Sequence, residues 1–202
     1  FRGSALSGSI RLGATDDVAV NRVAGIAGRF RWAHPAIRLQ IRVESSLKVA
    51  EWVDAGEVDL GVMPVEDHEV RFDDCVLWKD ELRFVQAAEA QFSADDPRRL
   101  VTFGSRCFYG RVAGGLLDAA GIAYEEVLQS ASIAGVRAAV SAGFGVALMN
   151  RGFMTEDQCT WPGTTAIATA PDINYVLRAA EGPLTDAQKT LVGELRGSVP
   201  PE

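Results

Sequence analysis

Basic residues are in the minority in this 202-residue chain. Its 20 Lys and Arg stand against 27 Asp and Glu, which gives a formal net charge of −7 at pH 7. Because nucleic acid binding needs a basic footprint for the phosphates, this charge argues against DNA or RNA binding by this stretch alone. Long apolar runs are also missing, since even the run from Val136 to Met149 is broken by Arg137 and Gly143. It falls short of the roughly 20 apolar residues of a membrane helix, and we predict no membrane span.

Cysteine and histidine are scarce as well. Cys75, Cys107 and Cys159 form an odd set without CxxC spacing, which favours a reducing cytoplasm over a disulfide-stapled exported domain. Neither His34 nor His68 is accompanied in the sequence by another His or Cys at a spacing with which it could hold a metal. The sequence also lacks GxSxG, HExxH, Walker and GxGxxG motifs. It therefore predicts no metal site, no cofactor and no enzymatic activity.

What the sequence does have is apolar periodicity that alternates between strand and helix spacing. A first round predicts a strand at 9–14, a helix ending before His34, a strand at 39–43, a helix opened by Ser45 and Ser46, and a strand at 60–63 ended by Pro64. A second round predicts strands at 82–85, 100–103 and 146–149, with helices capped by Ser105 and Ser132 between the last two. A strand at 173–177 and a helix from Thr185 follow. This order is typical of an α/β protein with parallel strands.

The domain organisation follows from the last strand and helix, which have no third lobe to join. We predict that they complete the first lobe, so that lobe I comprises residues 9–82 and 166–202, and lobe II residues 83–165. The chain then crosses between lobes near residues 80–85 and 165–172. Ligands of such proteins bind at the carboxyl ends of parallel strands, so a cleft between the lobes is the expected site.

Hydroxyl residues stand at the predicted starts of four helices: Thr15, Ser45 with Ser46, Ser105, and Ser130 with Ser132. Free N–H groups and a hydroxyl at a helix N-terminus can hold a polar ligand group, although simple capping explains any single case. Asp16 beside the first of these favours a ligand with an amine or hydroxyl there. At the third helix, Cys107 next to Arg106 leaves a redox sensor as an alternative.

Several motifs together resemble a known family. They are Ser7–Gly13, Phe30–Pro35, Ala55–Val62 with the pattern AGE-x-DLG-V, and Val140–Ala147, in this order and spacing over essentially the whole chain. The chain resembles the C-terminal effector-binding domain of LysR-type bacterial transcription regulators. Asp16–Asp17 and Gly104–Cys107, with Leu117–Gly121, look most like the LrhA/HexA-like subgroup.

The resemblance implies two Rossmann-like lobes of the type 2 periplasmic-binding-protein kind, joined by two crossover segments. It also implies an N-terminal winged helix-turn-helix outside this chain, with residues 1–8 as a remnant of the linker, a cytoplasmic location, and a homodimer within a homotetramer. The partners would be a small-molecule effector and, through the N-terminal domain, DNA. The implied effector contacts are Thr15, Asp16, Ser45, Ser46, Met63, Pro64, Ser105, Cys107, Ser130 and Ser132. The alternative is a solute-binding protein of the same fold that serves a transporter.

Overall fold

The computed structural model describes residues 6–90, 92, 98–163, 167 and 172–197. Its elements are β1 (Gly8–Ala14), α1 (Asp16–Val18), a π-helical turn (Ala19–Val23), α2 (Ala24–Ala33), β2 (Ile37–Val43), α3 (Ser46–Asp54), β3 (Leu60–Glu66), a 3₁₀ turn (Asp67–Glu69), β4 (Cys75–Asp80), β5 (Leu82–Ala87), β6 (Arg98–Thr102), α4 (Phe108–Ala119), β7 (Tyr124–Gln129), α5 (Ile133–Ser141), β8 (Ala147–Asn150), a 3₁₀ turn (Arg151–Phe153), β9 (Gln158–Thr160), β10 (Ile173–Ala179) and α6 (Asp186–Gly197).

The chain divides into two compact units. Unit 1 comprises the residues up to Lys79 and those from Asn174 onward, and unit 2 is Asp80–Ile173. Most of the predicted second crossing, residues 165–172, lies outside the described residues, as do residues 1–5 of the predicted linker remnant.

Unit 1 is built on a five-stranded sheet with the order β2-β1-β3-β10-β4. Strand β1 runs parallel to both of its neighbours, so that Gly13 lies between Arg42 and Gly61. Helix α3 lies close against this part of the sheet because two glycines leave room for it. A Cβ on Gly61 would come within 2.6 Å of Val53 Cγ2. The buried contact between α3 and β3 fixes where α3 begins.

Unit 2 contains one antiparallel and one parallel group of strands. Strand β5 pairs antiparallel with β8 and with β9, whereas β6 and β7 are parallel. The two groups meet where the Val101 N–H donates to the Val146 carbonyl at 2.8 Å and the Val146 N–H donates to the Arg99 carbonyl at 2.8 Å. Helix α5 covers the junction through Val136 and Val140, both fully buried.

Two predicted boundaries are wrong. Pro64 does not end β3, which continues to Glu66. Strand β1 pairs with β3 only as far as Ala14 with Val62, so Pro64 lies beyond the last paired residue of β1, where its missing N–H leaves no bond unmade on that side. Ser105 does not cap α4, because a turn in which the Cys107 N–H donates to the Gly104 carbonyl at 3.0 Å makes Cys107 the capping residue.

Candidate functional site

In unit 1, the first helix begins at a buried threonine. Thr15 follows β1, is 5% exposed, and donates its N–H to the Val62 carbonyl at 3.2 Å. Its hydroxyl Oγ1 is buried and has no hydrogen-bond partner among the described residues. Asp16 is half-buried, and the buried Asp17 accepts a hydrogen bond from the Tyr175 hydroxyl at 2.6 Å. A buried hydroxyl without a partner is costly, and this one points to a polar ligand group at the end of β1.

The second helix N-terminus of unit 1 follows β2, next to the first. The Glu44 N–H donates to the Ala14 carbonyl at 3.1 Å, which places the ends of the two strands together. Ser45 is the capping residue of α3, but the Glu44 carboxylate accepts the Ser45 N–H at 2.8 Å. Ser46, the first residue of α3, is buried. This edge of unit 1 therefore combines hydroxyl groups with carboxylates.

The next strand contributes less than the sequence predicts. Met63 is fully buried and belongs to the apolar cluster of unit 1 with Val49, Val53 and Val58. Pro64 is buried in the same strand. The structure thus places the Met63 side chain in the core of unit 1 and Pro64 within β3.

In unit 2, the start of α4 is shaped by glycine. Gly104 has a φ of 91°, a conformation that favours glycine, and Gly110 in the first turn of α4 lies so close that a Cβ there would be 2.2 Å from the Gly104 carbonyl oxygen. Ser105 and Arg106 are exposed in the intervening turn, and Cys107 is half-buried at the cap. The close contact between Gly110 and Gly104 therefore holds the turn at residues 104–107 against the N-terminus of α4.

The start of α5 is organised around Ser130. The Ser130 Oγ accepts the N–H of Ser132 at 3.2 Å, and Ser132 is the capping residue of α5. A Cβ on Gly135 would lie 2.3 Å from Ser130 Oγ, so glycine at this position leaves room for the hydroxyl. Both hydroxyls are half-buried. The predicted pair Ser130 and Ser132 is therefore brought together.

Sequence reasoning missed the residue that joins these two turns of unit 2. The buried Thr102, at the end of β6, accepts the Gly104 N–H with its hydroxyl at 3.0 Å. Its carbonyl accepts the Ser130 N–H at 3.0 Å. A threonine directly after the apolar pair Leu100–Val101, at the end of a strand, is the signal that could have identified it.

Hydrogen bonds lower the pKa of two carboxyl groups in unit 1. Asn174 donates to Asp67 at 2.6 Å, and this bond holds the pKa of Asp67 below its usual value. Arg71 likewise lowers the pKa of Asp54 through two hydrogen bonds. Within the described ranges no cluster of three or more His, Cys, Asp or Glu side chains could hold a metal. The three cysteines, all in the described ranges, form no disulfide.

Comparison with known proteins identifies the family. A model described as the LysR substrate binding domain matches residues 3–179. The chain belongs to the LysR substrate-binding domain family. The HTH-type transcriptional regulator PecT of Dickeya dadantii is 22% identical to this LysR-type domain over 174 residues. That match covers 86% of the chain and 54% of PecT, so the chain spans about half the length of this relative.

Solved structures show the same fold at low identity. The regulatory domain of Synechocystis CcmR, solved in complex with 2-PG, matches 96% of the LysR-type domain and 98% of its own chain, with a TM-score of 0.77 and 12% identity. The bromide-bound regulatory domain of Salmonella typhimurium HypT matches 98% and 97%, with a TM-score of 0.74 and 14% identity. These likenesses confirm the predicted α/β fold of the type 2 periplasmic-binding-protein kind. In the described part of the chain no helix has the length and apolar character to cross a membrane.

Proposed function

We propose that this LysR-type domain senses a small polar effector at the helix N-termini that follow its parallel strands. The observation that carries the proposal is the buried Thr15 hydroxyl, which has no partner among the described residues. A ligand hydroxyl, amine or carbonyl could form a hydrogen bond with it. Ligand binding would then remove the free-energy cost of the unpaired buried hydroxyl, and this gain would add to the affinity. The proposed contacts are Thr15, Asp16, Ser45 and Ser46 in unit 1, Ser105, Cys107, Ser130 and Ser132 in unit 2, and Met63 and Pro64 within β3 of unit 1.

The effector acts, in this proposal, by preferring one arrangement of the two units over another. A ligand shifts such an equilibrium only through its differential affinity for the two states. The full-length protein would read DNA through an N-terminal domain, which fits the acidic net charge of −7 on this 202-residue chain. The proposed role is regulatory and not catalytic, in the cytoplasm. The structures of CcmR in complex with 2-PG and of HypT with bound bromide support ligand binding by domains of this fold.

We further propose that the chain forms a homodimer, within a homotetramer of the full-length protein, through α2 of one copy and α4 of the other. The outward face of α2 presents the small residues Gly25 and Gly28 and the 91% exposed Trp32. On α4, Gly115 and Ala119 are exposed. Small residues on both faces allow two helices to approach closely.

A thermal-shift screen against a metabolite panel tests effector sensing. A ligand at about 100 times its Kd stabilises the folded state by roughly 2.7 kcal/mol and raises Tm. We expect at least one hit whose shift is lost in Thr15→Val and in Ser46→Trp, which blocks the start of α3. Thr190→Val, the same substitution on α6, is the matched control and keeps the shift. Hits that survive both site variants would place the ligand elsewhere and contradict the proposal.

A further inference from the structure

Four side chains of unit 1 connect the start of the first helix to the strands on which the chain passes between the units. The Tyr175 hydroxyl on β10 donates to Asp17 Oδ2 at 2.6 Å, and both residues are buried. The Tyr175 ring stacks on Trp78 of β4, with centroids 4.6 Å apart and planes at 22°. The Arg22 guanidinium carbon lies 4.3 Å from the centroid of the Trp78 ring. We call Asp17, Arg22, Trp78 and Tyr175 the strand clamp.

The π-helical turn at Ala19–Val23 makes this clamp possible. Asp17 and Arg22 are five positions apart in the sequence. In a regular α-helix of 3.6 residues per turn, side chains at this spacing would point about 140° apart. A π-helical turn holds more residues per turn, so it brings positions five apart toward the same side. The helix therefore contacts the stacked rings with both an acceptor and a cation.

Polar side-chain contacts connect strands β4 and β10 at both ends. They are neighbours in the sheet, and the division between the units falls after Lys79 in β4 and before Asn174 in β10. At this crossing end, Asp67 accepts a hydrogen bond from Asn174 at 2.6 Å and lies 3.6 Å from Lys79 Nζ.

At the opposite end of the same strands, Arg178 of β10 forms two 2.7 Å hydrogen bonds with Asp74, which directly precedes β4. The side chains of this ion pair are 6% and 0% exposed. The two strands thus form a rigid pair, and the clamp joins their crossing end to the first helix.

Unit 2 contains a counterpart. The buried Tyr109, in the first turn of α4, donates its hydroxyl to Asn150 Oδ1 at 2.6 Å. The Asn150 amide donates to Asp80 Oδ2 at 2.7 Å, and Asp80 is the first residue of unit 2. In each unit, then, a buried tyrosine connects the first turn of a proposed effector-binding helix to a residue at or near the crossing.

We infer that the strand clamp and the Tyr109–Asn150–Asp80 relay are positioning devices that couple the proposed effector-binding turns to the crossing strands. The inference rests on the proposed function for the placement of the effector at Thr15 and Asp16, next to Asp17. A hydrogen bond between a hydroxyl and a buried carboxylate is expensive to break in a dry environment. If the first turn of the helix at Asp17 is displaced, the hydrogen bond therefore moves Tyr175 with it, and the strands β10 and β4 follow.

Hydrogen exchange without any ligand tests the coupling. We expect Tyr175→Phe, a substitution in β10, to accelerate exchange of the amides at 16–19 about tenfold, since one strong hydrogen bond is lost. Arg22→Gln, a substitution in the helix, should accelerate exchange at 77–80 about threefold, because the cation–π contact with Trp78 is removed. Arg22 is half-buried, so this variant remains informative if Tyr175→Phe does not fold. The amides of α6 around Leu191 are the internal reference and should not change.

Tyr109→Phe is the matched control, because it removes a buried tyrosine hydroxyl whose hydrogen bond in unit 2 has the same length of 2.6 Å. It should accelerate exchange at 80–82 and leave 16–19 unchanged. Acceleration confined to the substituted element would overturn the coupling, and so would equal acceleration in α6, which would show general destabilisation alone. Either result would leave the effector proposal standing, since the ligand screen tests that separately.

Discussion

Removal of the Thr15 hydroxyl is expected to raise the free energy of unfolding. It is buried at the end of β1, where the described residues offer it no partner. Valine has nearly the same shape without the hydroxyl, so Thr15→Val removes an unsatisfied group without creating a cavity. We expect this variant to raise the free energy of unfolding by about 1 kcal/mol in urea denaturation, while it abolishes effector binding.

Thr190→Val provides the comparison for this measurement. The Thr190 hydroxyl donates to the Asp186 carbonyl at 2.8 Å on an exposed turn of α6, so its removal should change stability by no more than about 0.5 kcal/mol. A clear loss of stability in Thr15→Val would mean that the hydroxyl already has a protein partner, and the main support for the effector site would disappear.

Asp54 carries a pH prediction. The Arg71 guanidinium donates to its two oxygens at 2.6 and 2.9 Å and holds the pKa of Asp54 below its usual value. Because the folded-state pKa is lower than the unfolded value of about 3.9, the pair stabilises the fold fully above about pH 5, and this contribution is lost as the pH falls through the folded pKa. We expect Asp54→Asn to lower the urea midpoint slightly at pH 7, since both side chains are about half exposed, and to converge with the wild type as the pH falls through the folded-state pKa of Asp54. A difference in midpoint that stays constant with pH would contradict this assignment.

Local chemistry predicted the capping positions but not their partners. Thr15, Ser45 and Ser132 occupy the N-cap positions of α1, α3 and α5 as predicted, although none of their side chains makes a capping hydrogen bond. The bond between Asp17 and Tyr175 joins residues 158 positions apart, and no local pattern indicates such a pairing. The N-cap positions were therefore readable from the sequence, whereas the side chains that fix the first turn of unit 1 were not.

At the scale of elements, the start of α4 depends on Gly110. A Cβ there would lie 2.2 Å from the Gly104 carbonyl oxygen, and backbone cannot move aside as a flexible side chain can. We expect Gly110→Ala to lower the free energy of unfolding by about 2 kcal/mol, against the usual gain of alanine in a helix. Gly193→Ala in α6 is the control, because no described atom lies within 4 Å of its Cβ position, and it should gain about 0.5–1 kcal/mol. Equal effects of the two substitutions in urea denaturation would disprove the close approach.

Periodicity predicted the interiors of elements better than their ends. Strand β2 and helices α3 and α5 lie where alternation and helical spacing placed them. The end of β3 and the start of α4 were predicted wrongly, because neighbouring elements decide them. Pro64 is tolerated beyond the last paired residue of β1, and the Gly104–Cys107 turn delays α4. The antiparallel pairing of β5 with β8 and β9 left no local trace in the sequence, since strand patterns do not encode direction.

At the scale of the whole molecule, the sequence identified the family, whereas the effector-binding residues stay a prediction. The motifs around Phe30–Pro35 and Ala55–Val62 describe where α2 ends and where α3 turns into β3, which are features of the fold. They carry the predicted fold and family, both confirmed. The effector contacts and the subgroup remain predictions, because they depend on side chains that differ between members of one fold.

Self-association follows from the proposed pairing of α2 with α4. In a two-fold dimer each contact occurs twice, so a single bulky substitution disturbs the interface at two places. A Cβ at Gly28 or Gly115 would meet no atom of another described element within 4 Å, so we expect tryptophan at either position to leave the fold of the single chain intact. We expect the wild type to sediment as a dimer, and Gly28→Trp and Gly115→Trp each to shift it toward the monomer.

Gly193 on α6 has equally open space around its Cβ position. Gly193→Trp is therefore the control that distinguishes a specific interface from a general effect of an added surface tryptophan. It should leave the dimer intact in sedimentation velocity. Because Gly28 and Gly115 would face each other across the same contact, the double variant should dissociate little further than either single variant. Independent, additive effects of the two substitutions would place them in different interfaces, and a dimer that only Gly193→Trp disrupts would move the pairing surface to α6.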